Sequence, residues 1–158
     1  MGAWGTQSFE CDGALDWLGD FIDDPTESTL REAFCPSPVV RTPGFFARLL
    51  GAKATSTPVR PYGEHVLAAA EVVAIMLGHP PCKVPESLAK LPQRQPSQEI
   101  VLLAIQGVDQ ILDESSDLHE SWKDTDVGAS EGREPDPEGD YQKWLNGVRE
   151  LRTRLTAS

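Results

Sequence analysis

The chain has 158 residues, of which 39% are hydrophobic and 25% are charged, a composition typical of one globular domain and unlike that of a membrane-embedded or wholly disordered protein. It carries 14 Lys and Arg against 25 Asp and Glu, so its net charge at pH 7 is −11. A surface this acidic repels phosphate backbones, and we therefore expect no binding to nucleic acid.

The first two predicted helices are close together near the amino terminus. Apolar side chains recur at helical spacing on one broad face over residues 12–23, with Asp12 placed to cap the amino-terminal end. Pro25 ends this helix, and residues 26–34 are predicted to form a second, shorter one.

A proline-rich stretch follows over residues 35–61, which contain five prolines. Apart from a turn or two of helix at residues 44–50, it is predicted to be loop. Val39 and Val40 alone are too short a run to predict a strand, so we expect no β-sheet.

The central helices come next. Residues 62–77 are apolar in every direction, which is typical of a helix buried on all sides, and Gly78 is placed to end it as the C′ glycine. A short helix is predicted at residues 85–91. A second long apolar helix is predicted at residues 97–114, and we expect the two long helices to form the central pair.

The last third of the chain is strongly acidic before it becomes basic. From Asp113 to Asp140 there are eleven acidic residues against one Lys and one Arg, a net charge of −9. A short helix is predicted at residues 116–122, followed by a solvated, mobile loop at residues 124–140. Residues 141–155 have the spacing of an amphipathic cover helix.

Together these elements predict an all-α fold. We expect a compact helical bundle of four main helices plus short side helices, in a single domain over residues 1–158, with an acidic loop before the last helix. The first and last long helices would cover the central pair.

The cysteine count and the apolar pattern predict a cytoplasmic protein. Three cysteines are too few, and odd in number, for a secreted disulfide framework, so we expect free thiols. Met1 is not followed by the basic and apolar regions of a signal peptide. The longest apolar run, Val66 to Leu77, contains Glu71 and is too short to span a bilayer, so we expect no membrane partner.

Three stretches of the chain carry a resemblance to a known family. They are the opening Met1-Gly2-Ala3-Trp4-Gly5-Thr6 with Phe9-Glu10, Asp12, Ala14 and Asp16-Trp17; the central Ala68-Ala69-Ala70-Glu71-Val72-Val73-Ala74; and the late set Ser116, Leu118, Trp122, Trp144, Val148, Leu151, Arg154 and Leu155. They resemble the bacterial family known as domain of unknown function 4259. Gln7-Ser8 and Cys11 depart from its pattern. The resemblance implies a small bacterial cytosolic protein and no particular activity.

Glu71 is the candidate site residue that stands out, because its helical neighbours are apolar. It is either exposed on a thin strip, or buried with a partner, or a catalytic or metal-binding carboxylate. As a buried anchor for the amino-terminal segment it would accept hydrogen bonds from the Trp4 indole, from backbone N–H groups near Gly5 and Thr6, or from an arginine.

Asp12 and Asp16 are spaced i, i+4 and can point the same way. With Glu71 they would make a carboxylate cluster suited to Mg²⁺ or to general-base chemistry. In the simpler interpretation Asp12 caps the helix and Asp16 is solvated. The chain has no phosphate-binding glycine loop and no zinc-ligand spacing, since His79 and Cys82 lack two further ligands, so we expect no metal and no cofactor.

Two functional hypotheses follow from these observations. The first is a non-enzymatic protein-interaction module with an unknown, basic protein partner or toxin that it neutralises, because the acidity is strong and asymmetric and no catalytic set is apparent. The alternative is a small metal-assisted hydrolase that uses Asp12, Asp16 and Glu71.

Overall fold

The structure is a computed structural model that describes residues 5–41, 55–57, 59–89, 94–128 and 139–157. Helices make up most of these residues. Within these ranges there are seven helices and two three-residue strands. The helices are α1 (Asp12–Asp23), α2 (Glu27–Phe34), α3 (Gly63–Met76), α4 (Glu86–Ala89), α5 (Gln98–Leu112), α6 (Asp117–Gly128) and α7 (Asp140–Thr156), and the strands are β1 (Val39–Arg41) and β2 (Thr55–Thr57). The predicted all-α fold class is confirmed.

Helix α3 lies at the centre of the bundle. Every residue from Val66 to Ala74 is buried, because α3 packs against α1, α2, α5 and α7 on its different sides. A helix that is apolar all round can satisfy every face only in such a position. Helix α5 makes the most extensive contact with α3, so the predicted central pair is confirmed.

The α3–α5 contact depends on a glycine. A Cβ atom added at Gly107 would lie 2.7 Å from Cγ1 of Val66, closer than two carbon atoms can approach without a shift. Glycine in the middle of a helix costs about 1 kcal/mol relative to alanine. Here the absence of a side chain at Gly107 permits the two central helices to approach closely.

The carboxyl-terminal end of α3 is a Schellman motif. Gly78 has a φ of 88°, the N–H of Gly78 donates to the carbonyl of Ile75, and the N–H of His79 donates to the carbonyl of Ala74. The prediction of Gly78 as the C′ glycine is confirmed. The turn also fixes the position of the His79 carbonyl, which matters for the site described below.

Aromatic side chains hold the covering helices. On α1, the buried Trp17 and Phe21 stack with ring centroids 5.4 Å apart. On α7, the buried Trp144 stacks against Trp122 of α6 at 5.6 Å, and Trp122 is half-buried. These contacts join α6 to α7, so the acidic helix is attached to the basic one.

The bounds predicted for α1 are confirmed, but its predicted cap and the predicted end of α6 are wrong. The N-cap of α1 is Cys11, without a side-chain hydrogen bond, and Asp12 is the first helical residue and exposed. In the first turn the carboxylate of Asp12 already lies near the free N–H groups, so it interacts favourably with the helix dipole without being the cap. Helix α6 runs to Gly128 rather than ending at residue 122, so residues 124–128 are helical and not loop.

A small sheet occurs where none was expected. Strands β1 and β2 pair antiparallel, with Val39 opposite Thr57 and Arg41 opposite Thr55. Three-residue strands are too short to show the alternation that predicts a strand, and the pairing joins segments that are separated in sequence. The sheet is a minor addition and leaves the fold class unchanged.

Two sequence predictions fall outside the described residues. These are the turn of helix at residues 44–50 and the rest of the acidic loop at residues 129–138. Within the described ranges, no helix combines the length and the apolar character needed to cross a membrane.

A carboxylate on α2 caps α5 from outside that helix. Ser97 is the N-cap of α5, and its hydroxyl accepts from the N–H of Ile100 at 3.4 Å. The N–H of Ser97 itself donates to Oε1 of Glu27 at 2.6 Å. In a capping box a glutamate of the same helix fills this role, but position N3 here is Ile100, and Glu27 replaces it from a neighbouring helix. The hydrogen bonds from Ser97 lower the pKa of Glu27.

We predict that Glu27→Gln destabilises the protein by about 0.5–1 kcal/mol at neutral pH, because the charge-assisted bond to Ser97 is weakened. The pKa of Glu27 is lowered in the folded state, so its contribution is present above roughly pH 4.3 and is lost as the pH falls. Urea unfolding between pH 3 and pH 7 should therefore show a wild-type advantage that shrinks below about pH 4.

Glu120→Gln is the control for this measurement, since Glu120 is exposed in the first turn of α6. It should change the free energy of unfolding by less than about 0.5 kcal/mol. A difference between wild type and Glu27→Gln that stays constant from pH 7 to pH 3 would contradict the capping role.

Candidate functional site: a buried ion pair and an acidic groove

The side chain of Glu71 is buried in the middle of α3 and is paired with an arginine. Its side chain is 7% exposed, and that of Arg154 on α7 is 15% exposed. Nη2 of Arg154 donates to Oε1 of Glu71 at 2.8 Å. Nη1 of Arg154 donates to the carbonyl of His79 at 3.1 Å, at the turn that ends α3. One guanidinium therefore binds both the middle and the end of the central helix.

The amino-terminal segment reaches the same carboxylate. The hydroxyl of Ser8 donates to Oε1 of Glu71 at 3.2 Å. Trp4, the predicted indole donor, lies outside the described residues. An arginine was among the partner types considered for Glu71, and the structure adds Ser8, which sequence reasoning did not identify.

Two buried polar atoms in this cluster have no hydrogen-bond partner among the described residues. They are Oε2 of Glu71 and Nε of Arg154. Nε of Arg154 is 3.8 Å from Oε1 of Glu150, an exposed carboxylate one turn earlier on α7, which is within ion-pair range but too long for a hydrogen bond. A buried carboxylate oxygen without a donor destabilises the protein. Oε2 of Glu71 can accept one further hydrogen bond.

Asp12 and Asp16 do not join Glu71. Both aspartates are exposed on α1, whereas Glu71 is buried and already paired. Within the described part of the chain, no three His, Cys, Asp or Glu side chains come close enough together to hold a metal ion. The geometry that metal-assisted hydrolysis would need is therefore not formed by these three residues.

The three cysteines are free, as expected from their number. Cys35 and Cys82 are exposed, and Cys11 is half-buried at the start of α1. Burial raises the pKa of the Cys11 thiol, the nearby backbone N–H of Ala14 lowers it, and the carboxylates of Glu64 and Asp12 raise it further. A thiol in this environment is a poor nucleophile, so Cys11 does not have the setting of a catalytic cysteine.

His119 is a buried polar residue that sequence reasoning missed. It is 3% exposed, with Nδ1 3.2 Å from the carbonyl of Ile111 and Nε2 2.8 Å from the hydroxyl of Tyr141. A carbonyl only accepts, so Nδ1 carries a proton, and in the neutral ring Nε2 accepts from Tyr141. The ring also meets Trp144 edge-on, with centroids 5.7 Å apart. Both nitrogens are occupied in joining α5, α6 and α7, so the role of His119 is structural.

A groove of about 980 Å³ opens beside the start of α3 and the end of α5. Its walls come from the chain before α3, from the first turn of α3, from the last turns of α5 and from the start of α6. We call this the acidic groove. Val66, Ile111 and Leu118 supply apolar lining, and Tyr62 stands at its edge with 71% of its surface exposed.

The charges that line the acidic groove are mostly negative. Four carboxylates and one guanidinium line it, namely Glu64, Asp109, Asp113, Asp117 and Arg60. Asp109 is neutralised by Arg152 of α7, which donates to its two oxygens at 2.8 and 3.2 Å. Asp113 accepts from the N–H and hydroxyl of Ser115 at 2.9 and 2.7 Å, and these hydrogen bonds lower its pKa.

Comparison with protein families identifies the chain. The sequence model of a family described as Domain of unknown function (DUF4259) matches residues 2–135. The chain belongs to the DUF4259 family. Neither the search of curated proteins nor the search of solved structures found a match. In this DUF4259 member, α7 lies beyond the matched range, so the Glu71–Arg154 pair joins a helix inside the match to one outside it.

The buried ion pair makes a quantitative prediction for this DUF4259 protein. Glu71→Ala and Arg154→Ala should each cost about 3–5 kcal/mol of unfolding free energy, because each leaves the other charge buried without its partner. The double variant should cost much less than the sum, since both changes remove one interaction. Urea denaturation of the four proteins measures the coupling, and additivity within about 0.5 kcal/mol would contradict it. Glu150→Ala is the control, because Glu150 is 64% exposed, and it should have little effect.

The predicted anchor at Trp4 is tested in the same series. If the indole N–H donates to Oε2 of Glu71, Trp4→Phe removes the donor but keeps an aromatic ring, and its cost should disappear in the Glu71→Ala background. A cost of Trp4→Phe that is the same in both backgrounds would show that Trp4 does not bind Glu71.

Metal binding gives a separate test of the carboxylate-cluster hypothesis. Because Asp12, Asp16 and Glu71 lie apart, we predict that Mg²⁺, Mn²⁺ and Zn²⁺ leave the thermal midpoint unchanged. A metal bound at one hundred times its Kd would add about 2.7 kcal/mol of stability. A midpoint that rises with metal and no longer rises in Asp12→Asn/Asp16→Asn would restore the hydrolase hypothesis.

Proposed function

We propose that this DUF4259 protein is a non-enzymatic interaction module that binds, and neutralises, a basic partner protein in the bacterial cytoplasm. The observation that carries the proposal is the charge distribution. Residues 113–140 hold −9 of the net charge of −11, so the rest of the chain is close to neutral. We call residues 113–140 the acidic segment.

Part of the acidic segment lies on helix α6 (Asp117–Gly128). The side chains of Asp117, Glu120 and Asp124 on α6 are exposed. The same helix is held from its inner side by His119 and Trp122, which contact α7. Anchored carboxylates lose less conformational freedom on binding than carboxylates on a free chain, which favours a specific contact.

A concentrated negative surface has a physical consequence for association. It speeds encounter with a cationic protein, and long-range attraction of this kind weakens steeply with salt. Like a phosphate backbone, this surface is strongly negative. It would therefore compete with nucleic acid for a basic protein that normally binds nucleic acid. Neutralisation of a basic partner by charge would require no catalytic group.

The hydrolase alternative has no comparable support. Its three carboxylates are not assembled, and Glu71 is engaged with Arg154 and Ser8. A general base needs a free lone pair aimed at the reacting group in an accessible site, and Glu71 is buried.

Two charge-matched baits test the proposal. One removes four exposed carboxylates of the acidic segment with Asp113→Asn, Asp117→Asn, Glu120→Gln and Asp124→Asn. The other removes four exposed carboxylates of α1 with Asp12→Asn, Asp16→Asn, Asp20→Asn and Asp23→Asn. Wild type and both variants, checked for folding by circular dichroism, are used to capture proteins from lysate at about 0.15 M salt. The captured protein is then purified and its Kd is measured by calorimetry.

The expected result is a basic protein captured by wild type and by the α1 variant but not by the acidic-segment variant. Its Kd should rise at least about tenfold in the acidic-segment variant and should increase with salt concentration. Capture of the same proteins by all three baits, or a specific partner that is not basic, would overturn the proposal.

A further inference from the structure

The acidic groove has a lining that suits one kind of ligand. Its apolar residues Val66, Ile111 and Leu118 are accompanied by carboxylates from three different parts of the chain. Glu64 begins α3, Asp113 follows α5, and Asp117 begins α6. A ligand that fits must therefore present apolar surface and more than one positive charge.

We propose that the acidic groove binds an extended segment of the partner in which Lys or Arg side chains flank an apolar one. This inference rests on the proposed function and names the part of the acidic surface that recognises the partner, together with the chemistry it recognises. Asp113 and Asp117 accept the cationic groups, and the apolar lining receives the side chain between them.

The spacing of the carboxylates argues for a chain rather than a metal ion. No three of the described His, Cys, Asp or Glu side chains can hold one ion, so the groove carboxylates do not converge on a point. Separate carboxylates around an apolar lining match separate cations on one flexible ligand. Long basic side chains also have apolar stems that pack along such a surface.

The carboxylates differ in how available they are. Asp109 is already paired with Arg152, so it contributes little attraction. Asp113 is held in place by hydrogen bonds from the N–H and the hydroxyl of Ser115. A carboxylate that is held in place and charged needs no reorganisation when a cation arrives.

Tyr62 adds an aromatic surface at the edge of the groove. It is the most exposed large hydrophobic residue in the described part of the chain, and its ring lies 5.2 Å from that of His65 at a tilt of 50°. An exposed tyrosine is typical of binding surfaces, because the ring offers a large contact area and attracts a cation to its face. The volume of about 980 Å³ is at the upper end of the range for sites that bury a drug-sized ligand.

A fluorescent peptide of alternating Lys and Leu, with Glu–Leu and Lys–Gly peptides for comparison, is the probe for this site. Binding to the full-length protein is measured by fluorescence anisotropy at about 0.1 M salt. The groove variant combines Asp113→Asn and Asp117→Asn, and an asparagine in place of Asp113 can retain the turn with Ser115. The matched control removes two charges of the acidic segment that do not line the groove, with Glu120→Gln and Asp124→Asn. Tyr62→Ala is measured separately, and circular dichroism and thermal melts verify that each variant folds.

We expect the Lys–Leu peptide to bind best, with its Kd raised about tenfold in the groove variant, two- to fivefold in Tyr62→Ala, and less than about twofold in the control. Equal losses in the groove variant and the control, or equal binding of Lys–Leu and Lys–Gly peptides, would overturn the groove as the recognition site while leaving the proposed function standing. Failure of wild type to bind either cationic peptide would contradict both.

Discussion

The ion pair between Glu71 and Arg154 is the constraint on which the arrangement of the bundle depends. Helix α3 is apolar over almost its whole length and would pack in several rotational settings on apolarity alone, because every face suits a core. A single buried carboxylate limits that freedom, because the observed setting presents it to Arg154. The pair therefore fixes the rotation of α3 and the position of α7 together.

The carbonyl of His79 extends this constraint to the end of the helix. Gly78 provides the turn that aims the carbonyl at Arg154, so the guanidinium binds α3 at two points, a side chain and a backbone group. Ser8 brings the amino-terminal segment to the same carboxylate. Three distant parts of the chain thus meet at one charged cluster, which explains why a buried pair, costly in itself, fits the fold.

Sequence reasoning predicts the parts of this protein whose pattern is long and periodic. The four main helices, the central pair and the turn at Gly78 are all found, because each rests on apolar spacing or on the conformational freedom of glycine. The two strands are missed because three residues are too few to show a periodic pattern. The length of α6 is underestimated because the second half of the helix is acidic. The composition of an acidic stretch predicts a loop. In the structure, however, Trp122 and His119 contact α7 and hold the helix in place.

Contacts between distant residues are the part that sequence alone does not predict. The apolar neighbours of Glu71 indicate a partner, but nothing in the spacing singles out Arg154, which is 83 residues away. Likewise Glu27 reaches Ser97 across 70 residues, where the local sequence places Ile100 at the position of a capping glutamate. The acidic groove has no sequence signal of its own, because its lining comes from separate elements.

The basic residues of α7 form ion pairs with the central helices, and these pairs bear on the proposed function. This helix follows the acidic segment directly and carries four cations, enough to neutralise much of the segment if they faced it. Instead Arg154 is bound inside to Glu71, and Arg152 is bound to Asp109 on α5. Two of the four cations are thus committed to holding α7 on the central helices. The interactions that stabilise the bundle therefore engage two cations that lie next to the acidic segment in sequence, and the proposed function requires that segment to be negative.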